Sequence, residues 1–496
     1  GRFDDCFLIL EQLKGDERVE GDLIAAGIIL DMEGDLPRAR SIIDKIFAKR
    51  DLPQELEIMA HLWRIIVLTW EGNYDEALRD LEHAQKIFET LTIEDEARSN
   101  QLKVQIAGMS AWIAGHEGKH VQAREKWSEA IEIAIAGPLL LKSMVPAWHN
   151  NIGLTYENLG EWEKVLESFK RSMAGFQELG NEFNQAIPLH NMGRYYELRG
   201  ENDRALGYFQ RSSKINRKYN WKRGLAGNLL HEGRIFQSKG EFQRALDSFQ
   251  DSLALYEEIG LVGWDAGQAA SLYNIILLYL ELQDDNSAKQ YLTKLQDFSQ
   301  NYPLAIAESL NLLAEALVLK NSNRFKEKSR AQDLLKEIIE NEHTSQSLRT
   351  LAMLHLCDLL ILEAKTFADE ALFSEAQVLV DQVIEQAQTE KMIPVLIDTF
   401  ILQAKFALIE GNAQEALNLL EKAYEWAHDK NLATLAAKTK AQQDIVEKEL
   451  SQWQELAQKN APLQERLELA NLEEYLHKAI QLRELTSTVL KDFYNS

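Results

Sequence analysis

The sequence predicts an all-α chain built as an extended array of helical hairpins, and three observations carry that prediction. Proline is scarce, at 8 in 496 residues, and helix formers such as Leu, Ala, Glu, Gln and Lys dominate. A chain of 496 residues also exceeds what one core supports, because single hydrophobic cores stop growing near ~250–300 residues. Most specific is internal repetition. Segments beginning at His149, Leu189 and Leu230 place Gly153, Gly193 and Gly233 at intervals of 40 residues. Gly160, Gly200 and Gly240 keep the same interval, as do Val165, Ala205 and Ala245, and Phe169, Phe209 and Phe249. The buried Val/Ile runs of a parallel sheet are missing from the sequence.

Each column has a physical task. Gly153, Gly193 and Gly233 fall in mid-helix, where glycine costs about 1 kcal/mol against alanine. That cost is expected where two helices cross too closely for a side chain, opposite the small column Val165, Ala205 and Ala245. Tyr156, Tyr196 and Phe236 are expected to fill the core beside Phe169, Phe209 and Phe249. Gly160, Gly200 and Gly240 suit a left-handed position ending the first helix, and the Glu after each suits the start of the second.

This pattern of small residue, aromatic residue, glycine turn, small residue and aromatic residue resembles the tetratricopeptide repeat in a long form of about 40 residues. The resemblance implies a right-handed α-α superhelix, a solenoid of about ten hairpins. Turn glycines extend it upstream through Gly34, Gly72 and Gly118, each followed by a small residue at Ala39, Ala77 or Ala123. Downstream, Gln283 takes the turn place before Ala288, Ala331 and Ala376 mark degenerate copies, and Gly411 with Ala416 and Ala423 restores a regular one. The expected division is a solenoid over 1–430, with regular repeats at about 145–300 and degenerate ones at about 303–390, followed by a helical cap or linker over 431–496. Gly1, Phe3, Cys6, Leu10 and Leu13 match the second half of a repeat, so the chain is expected to open in mid-hairpin, as a fragment of something longer. Near the other end, helices are expected over Leu432–Leu450 and Ser451–Lys459. Pro462 then opens an amphipathic stretch to about Asp492 that caps the last repeat or supports oligomerisation.

Composition narrows the function. A net charge of −24 argues against a nucleic-acid partner. The two cysteines, Cys6 and Cys357, lie far apart within apolar patterns and read as core residues of a reducing, cytoplasmic compartment. The most apolar stretch, Ala134–Trp148, contains Lys142 and two prolines, so no membrane span is expected. His116-Glu117-Gly118-Lys119-His120 spells a zinc-hydrolase motif, but that chemistry needs both histidines on one continuous helix. The repeat register puts Gly118 at a turn, leaving two exposed turn histidines and no metal. No nucleotide loop, nucleophile elbow or paired C-x-x-C occurs, so neither an enzyme nor a cofactor is expected.

The resemblance further implies that the residue two places before the first-helix glycine points into the concave groove. That column reads Asn151, Asn191, His231 and Asn274, similar to the asparagine ladder of Pins/LGN-type and kinesin-light-chain-type repeats. Asn150 and His190 lie beside it. Arg194 and Arg234 follow one residue after the glycine, and Glu157 and Glu197 one turn further on. Between Arg194 and Arg244 twelve Lys and Arg face five acids, so the groove is expected to grip an extended acidic peptide. Alternatives stand beside this. The amides can bridge neighbouring repeats, Arg194 and Arg234 can pair with Glu157 and Glu197, and Lys214–Arg223 reads as a solvated loop. The expected function is a protein-interaction scaffold, or alternatively a sensor module of a larger signalling protein such as a signal-transduction ATPase or a transcription regulator. Replacing Asn191 by Ala and both Arg194 and Arg234 by Glu is expected to abolish capture at little cost in melting temperature.

Overall fold

A computed structural model describes residues 15–29, 36–49, 51–260, 266–302, 304–341, 344–389, 393–429 and 432–472, with Leu476 and Ile480. Expectations for Gly1–Leu13, Cys6 and Gly34 lie outside these residues, as does the stretch beyond Ile480. The helices pair in sequence. The first three hairpins are α1 (Gly15–Ile28) with α2 (Leu36–Phe47), α3 (Gln54–Trp70) with α4 (Tyr74–Thr90), and α5 (Glu96–His116) with α6 (His120–Ala136). A short α7 (Leu139–Lys142) leads to the regular centre: α8 (Val145–Asn158) with α9 (Trp162–Glu178), α10 (Ala186–Leu198) with α11 (Asn202–Tyr219), and α12 (Lys222–Ser238) with α13 (Phe242–Ile259). Four more follow: α14 (Gly267–Glu281) with α15 (Asp285–Asn301), α16 (Ala305–Lys320) with α17 (Phe325–Glu340), α18 (Gln346–Phe367) with α19 (Glu370–Thr389), and α20 (Ile393–Ile409) with α21 (Ala413–Asp429). No strand forms among the described residues.

The turn column behaves as a left-handed helix stop should. Gly72, Gly118, Gly160, Gly200, Gly240 and Gly411 have φ between 70° and 85°, and Gln283 adopts the same region at 59°. The small column from Ala39 through Val165 and Ala205 to Ala416 is fully buried in every hairpin. The mid-helix glycines have a different reason from the one expected. A Cβ on Gly153, Gly193 or Gly233 would come within 2.6, 2.7 or 2.5 Å of the ring of Phe169, Phe209 or Phe249. Room is made for an aromatic ring, and the small column on the second helix is a separate contact.

Tyr156 and Tyr196 are only half-buried, unlike Phe236. Their outer faces are covered by cations that themselves recur every 40 residues. Lys164 lies 5.2 Å from Tyr156, Arg204 5.5 Å from Tyr196, and Arg244 3.9 Å from Phe236. Each cation also pairs with the Glu after its turn glycine, Glu161, Glu201 or Glu241.

At the C-terminal end the two expected helices are one, α22 (Ala433–Gln458), whose Val446 and Trp453 are buried. Propensity favours this continuity, because no Gly or Pro interrupts Leu432–Lys459. The stretch after Pro462 is not one helix. α23 (Leu463–Ala470) stops at Asn471, which takes the left-handed conformation at φ 47° that asparagine tolerates. α23 packs on α18 and α20.

Candidate functional site

The first helices of the central hairpins are buried on nearly every side, while the second helices keep an exposed face. The first helices therefore form the inner layer, and the candidate residues lie within it. Asn191 is 1 % exposed and donates from Nδ2 to Oδ1 of Asn150 at 2.8 Å. Arg194, 5 % exposed, donates from Nη2 to Oε1 of Glu157 at 3.2 Å. Glu197 is bracketed by the next repeat: its Oε2 accepts from Nδ1 of His231 at 2.7 Å, and its Oε1 lies 3.6 Å from Nη2 of Arg234. His190 meets Oδ1 of Asn228 at 2.7 Å, while its ring stands edge-on to His231 at 5.1 Å. His231 stacks on Phe209 at 4.8 Å.

The outer members of the column differ. Asn274 turns back on its own helix, donating to the Ala270 carbonyl at 2.8 Å. Asn151 is half-buried, and its backbone carbonyl accepts from Oγ1 of Thr155 at 2.9 Å. Asparagine, histidine and arginine thus form one buried stripe across α8, α10 and α12, bonded largely within itself. The Arg–Glu pairs form between neighbouring repeats.

This pairing alters what substitution would do. Arg194→Glu or Arg234→Glu would set a carboxylate beside buried Glu157 or Glu197. Breaking a buried pair costs about 3–5 kcal/mol, so the sequence-based expectation of a nearly unchanged melting temperature does not hold.

Electrostatics fix the protonation states. Burial alone would raise Glu197, but His231, Arg234 and Arg194 hold it below the usual carboxylate range. Burial drives His190 well below its ordinary value, helped by the charge of Arg194 and, once His231 takes up a proton, by that of His231. His231 is also lowered by burial, against the pull of Glu197. Neutral imidazoles therefore face an ionised carboxylate, and His231 donates its Nδ1 proton to Glu197.

Among the described residues, Oδ1 of Asn191 and Nη1 of Arg194 have no hydrogen bond, and Oε1 of Glu197 has only the charge of Arg234 beside it. One acceptor and one donor, three positions apart on α10, are what a backbone amide and a carboxylate would require. Sequence reasoning missed Arg223 and Asn228. Arg223 is a buried residue of α12, and Lys214–Tyr219 is helical, so neither belongs to a solvated loop. The signal was available: Arg223, Gly227, His231 and Arg234 follow a helical i, i+4, i+8, i+11 spacing and share one face. Three buried guanidiniums (Arg194, Arg223 and Arg234) accompany two buried carboxylates (Glu157 and Glu197) in the stripe. Glu232, also buried on α12, turns away from it and accepts from Oγ of Ser213 on α11 at 2.9 Å.

The zinc-like string is broken as its register requires. His116 ends α5, Gly118 has φ 79°, and His120 begins α6. Both histidines are half-buried and not exposed, because His116 packs against Trp112 at 4.5 Å. Among the described residues no three His, Cys, Asp or Glu side chains gather to hold a metal ion. Cys357 is buried, with its thiol pushed well up by burial. No described helix is long and apolar enough to cross a membrane.

Residues 144–218, from the start of α8 to the last turn of α11, match the family model described as the tetratricopeptide repeat. The fold is that of a tetratricopeptide solenoid. A search of the curated proteins found no match. Among solved structures, the apo form of the quorum sensor NprR from B. thuringiensis is similar at 17% identity and a TM-score of 0.50, covering 75% of this chain and 99% of that one. NprR in complex with its cognate peptide NprX aligns at 16% identity and a TM-score of 0.47, over 75% and 99% of the two chains. Aspartyl phosphate phosphatase F from Bacillus subtilis aligns at 14% identity and a TM-score of 0.47, over 76% and 95%.

Proposed function

We propose that this tetratricopeptide solenoid is a non-enzymatic, cytoplasmic interaction protein that binds an extended, acidic peptide along the inner face of α8, α10 and α12. The observation that carries the reading is the pair of unsatisfied inner atoms, Asn191 Oδ1 and Arg194 Nη1, in a buried stripe with more guanidinium than carboxylate groups. Buried polar atoms without partners are costly, and both are sealed from solvent in the unbound chain, so a ligand that supplies an amide proton and a carboxylate would relieve both by turning the two side chains toward the inner face. Asn151, His231, Asn274 and Arg234 extend the same face, while Asn150, His190, Glu157 and Glu197 hold it in shape.

A second reading, a sensor module whose state is set by the peptide, is favoured by the fold's likeness to a protein named as a quorum sensor. Both readings need the same inner face, so one experiment tests their common premise. Fluorescently labelled peptide libraries of graded charge are screened by anisotropy against the wild type and against Asn151→Ala combined with Arg194→Lys. Lysine keeps a cation beside Glu157 but removes the second guanidinium nitrogen. The expected result is a preference for Asp- or Glu-containing peptides and at least about tenfold weaker binding by the variant, the scale of one charge-assisted hydrogen bond. Equal affinity of wild type and variant for every peptide would remove the inner face as the site.

A further inference from the structure

The outer layer carries a second charged surface. On α11 the residues Ala205, Phe209, Ser212, Ser213, Ile215 and Asn216 are buried, while Arg211, Lys214, Arg217 and Lys218 are exposed on the opposite side. Positions 211, 214 and 218 lie in one line along the helix, and 217 lies beside them. Lys170 and Arg171 of α9 stand 40 residues before Gln210 and Arg211, so they extend the basic face onto the neighbouring ridge.

Part of this charge is already used. Arg171 pairs with Glu167, and Lys218 with Glu182. Arg211 covers the Tyr208 ring at 5.5 Å. Lys170, Lys214 and Arg217 form no ion pair among the described residues. Lys214 acts on Glu182, and Arg217 on buried Glu232, only as distant charges.

The sign of the surface reverses on the next ridge. On α13 the places of Arg211, Arg217 and Lys218 are taken by exposed Asp251, Glu257 and Glu258, with Asp247 a turn earlier. A cationic strip therefore runs for about 10 Å along α11, at 1.5 Å of rise per residue, with an anionic ridge beside it.

We propose that the outer face of α9 and α11 docks an acidic helical segment of a partner protein, independently of the inner groove. Carboxylates one helical turn apart match the spacing of Arg211, Lys214 and Arg217. The acids of α13 fix the lateral position by repelling a displaced register. That same anionic ridge, in a chain of net charge −24, disfavours a nucleic acid, whose dense backbone charge would overhang the strip.

The probe is a fluorescein-labelled, alanine-based peptide of about 15 residues with Glu at every third or fourth place, held helical by side-chain lactam staples so that it cannot bind as the extended chain the inner face takes, beside its Gln counterpart, at about 50 mM salt. Anisotropy titration compares wild-type protein with three variants. Lys214→Glu plus Arg217→Glu reverses the strip. Arg324→Glu plus Lys326→Glu makes the same change in net charge at exposed residues elsewhere. Asn151→Ala plus Arg194→Lys alters the inner face.

The strip variant is expected to bind the Glu peptide at least about tenfold more weakly, with the other two within about twofold of wild type and the Gln peptide unbound. Four results would each overturn the proposal: no binding by wild type, equal losses in both charge-reversed variants, loss confined to the inner-face variant, or tighter binding of a single-stranded oligonucleotide of equal length. The inner-face variant separates failure here from failure of the groove reading.

Discussion

His190 and His231 stand edge to face inside the array, flanked by Arg194 and Arg234, with Glu197 bonded to His231. Burial keeps both imidazoles below their ordinary value of 6.5, and burial also lowers His116, to about 4. The unfolded chain therefore takes up protons near pH 6.5 that the folded chain refuses. Stability is complete above that pH and falls as the pH drops toward the folded values. Asp80 is held low by Arg64 and His61 despite its burial, and Glu197 is low as well, so the loss continues below pH 4.5 as these acids protonate. Glu232 acts in the opposite sense. Burial raises it, so it takes up its proton earlier in the fold and offsets part of the loss at mildly acid pH. Urea midpoints are expected to fall between pH 7 and pH 5, each refused proton contributing up to about 1.4 kcal/mol per pH unit. His116→Gln should flatten that slope, and identical midpoints at both pH values would refute neutral imidazoles at His116, His190 and His231.

Gly193 and Phe209 show how a helical hairpin is specified. Phe209 projects from α11 into the space that a Cβ on Gly193 would enter, at 2.7 Å. Gly193→Ala gains helix propensity on α10 but must displace a fully buried ring, and overpacking of this kind costs about 1–3 kcal/mol. A lower melting temperature for Gly193→Ala, largely restored by adding Phe209→Leu, is the expected outcome. A stabilised single variant would show that the ring moves freely. Such columns were legible in the sequence because one packing problem is solved three times at the same interval. The inner stripe was legible in part, since helical spacing put Asn191, Arg194 and Glu197 near one another. Their pairing across repeats was legible only as one alternative, now met by Asn191 with Asn150, Arg194 with Glu157 and Arg234 with Glu197, because the separation of adjacent first helices decides whether Arg194 meets Glu157 or solvent, and no single repeat encodes that separation. The break at Asn471 was hidden for a related reason: an apolar stripe carries on through a left-handed residue without a change in composition.

Across the whole molecule, charge and stability are distributed along one axis. The basic middle divides into a buried set on the inner helices, pairs at the turn edge such as Arg204 with Glu201 and Lys239 with Asp203, and the outward strip of α11. Each hairpin contacts mainly its neighbours, so stability is a sum of local terms. Beyond the tenth hairpin, Arg466 on α23 links three segments. Its Nη1 donates to the Ile409 carbonyl at 2.7 Å and its Nε to the Ala461 carbonyl at 3.0 Å, while Nη2 reaches Oε1 of Glu370 at 2.6 Å. One guanidinium thereby ties α23 to the turn after α20 and to the start of α19. Arg466→Ala removes all three bonds and leaves the last carbonyls of α20 to water. In a solenoid with nearest-neighbour coupling, that loss should stay near the hairpins where it occurs. Hydrogen exchange is expected to show protection in α20 and α21 falling by about tenfold, equivalent to about 1.4 kcal/mol, with amides of α10 to α12 unchanged. Equal loss of protection in α10 to α12 would mean that the array unfolds as one cooperative unit, and the link at Arg466 would then support the central groove as well.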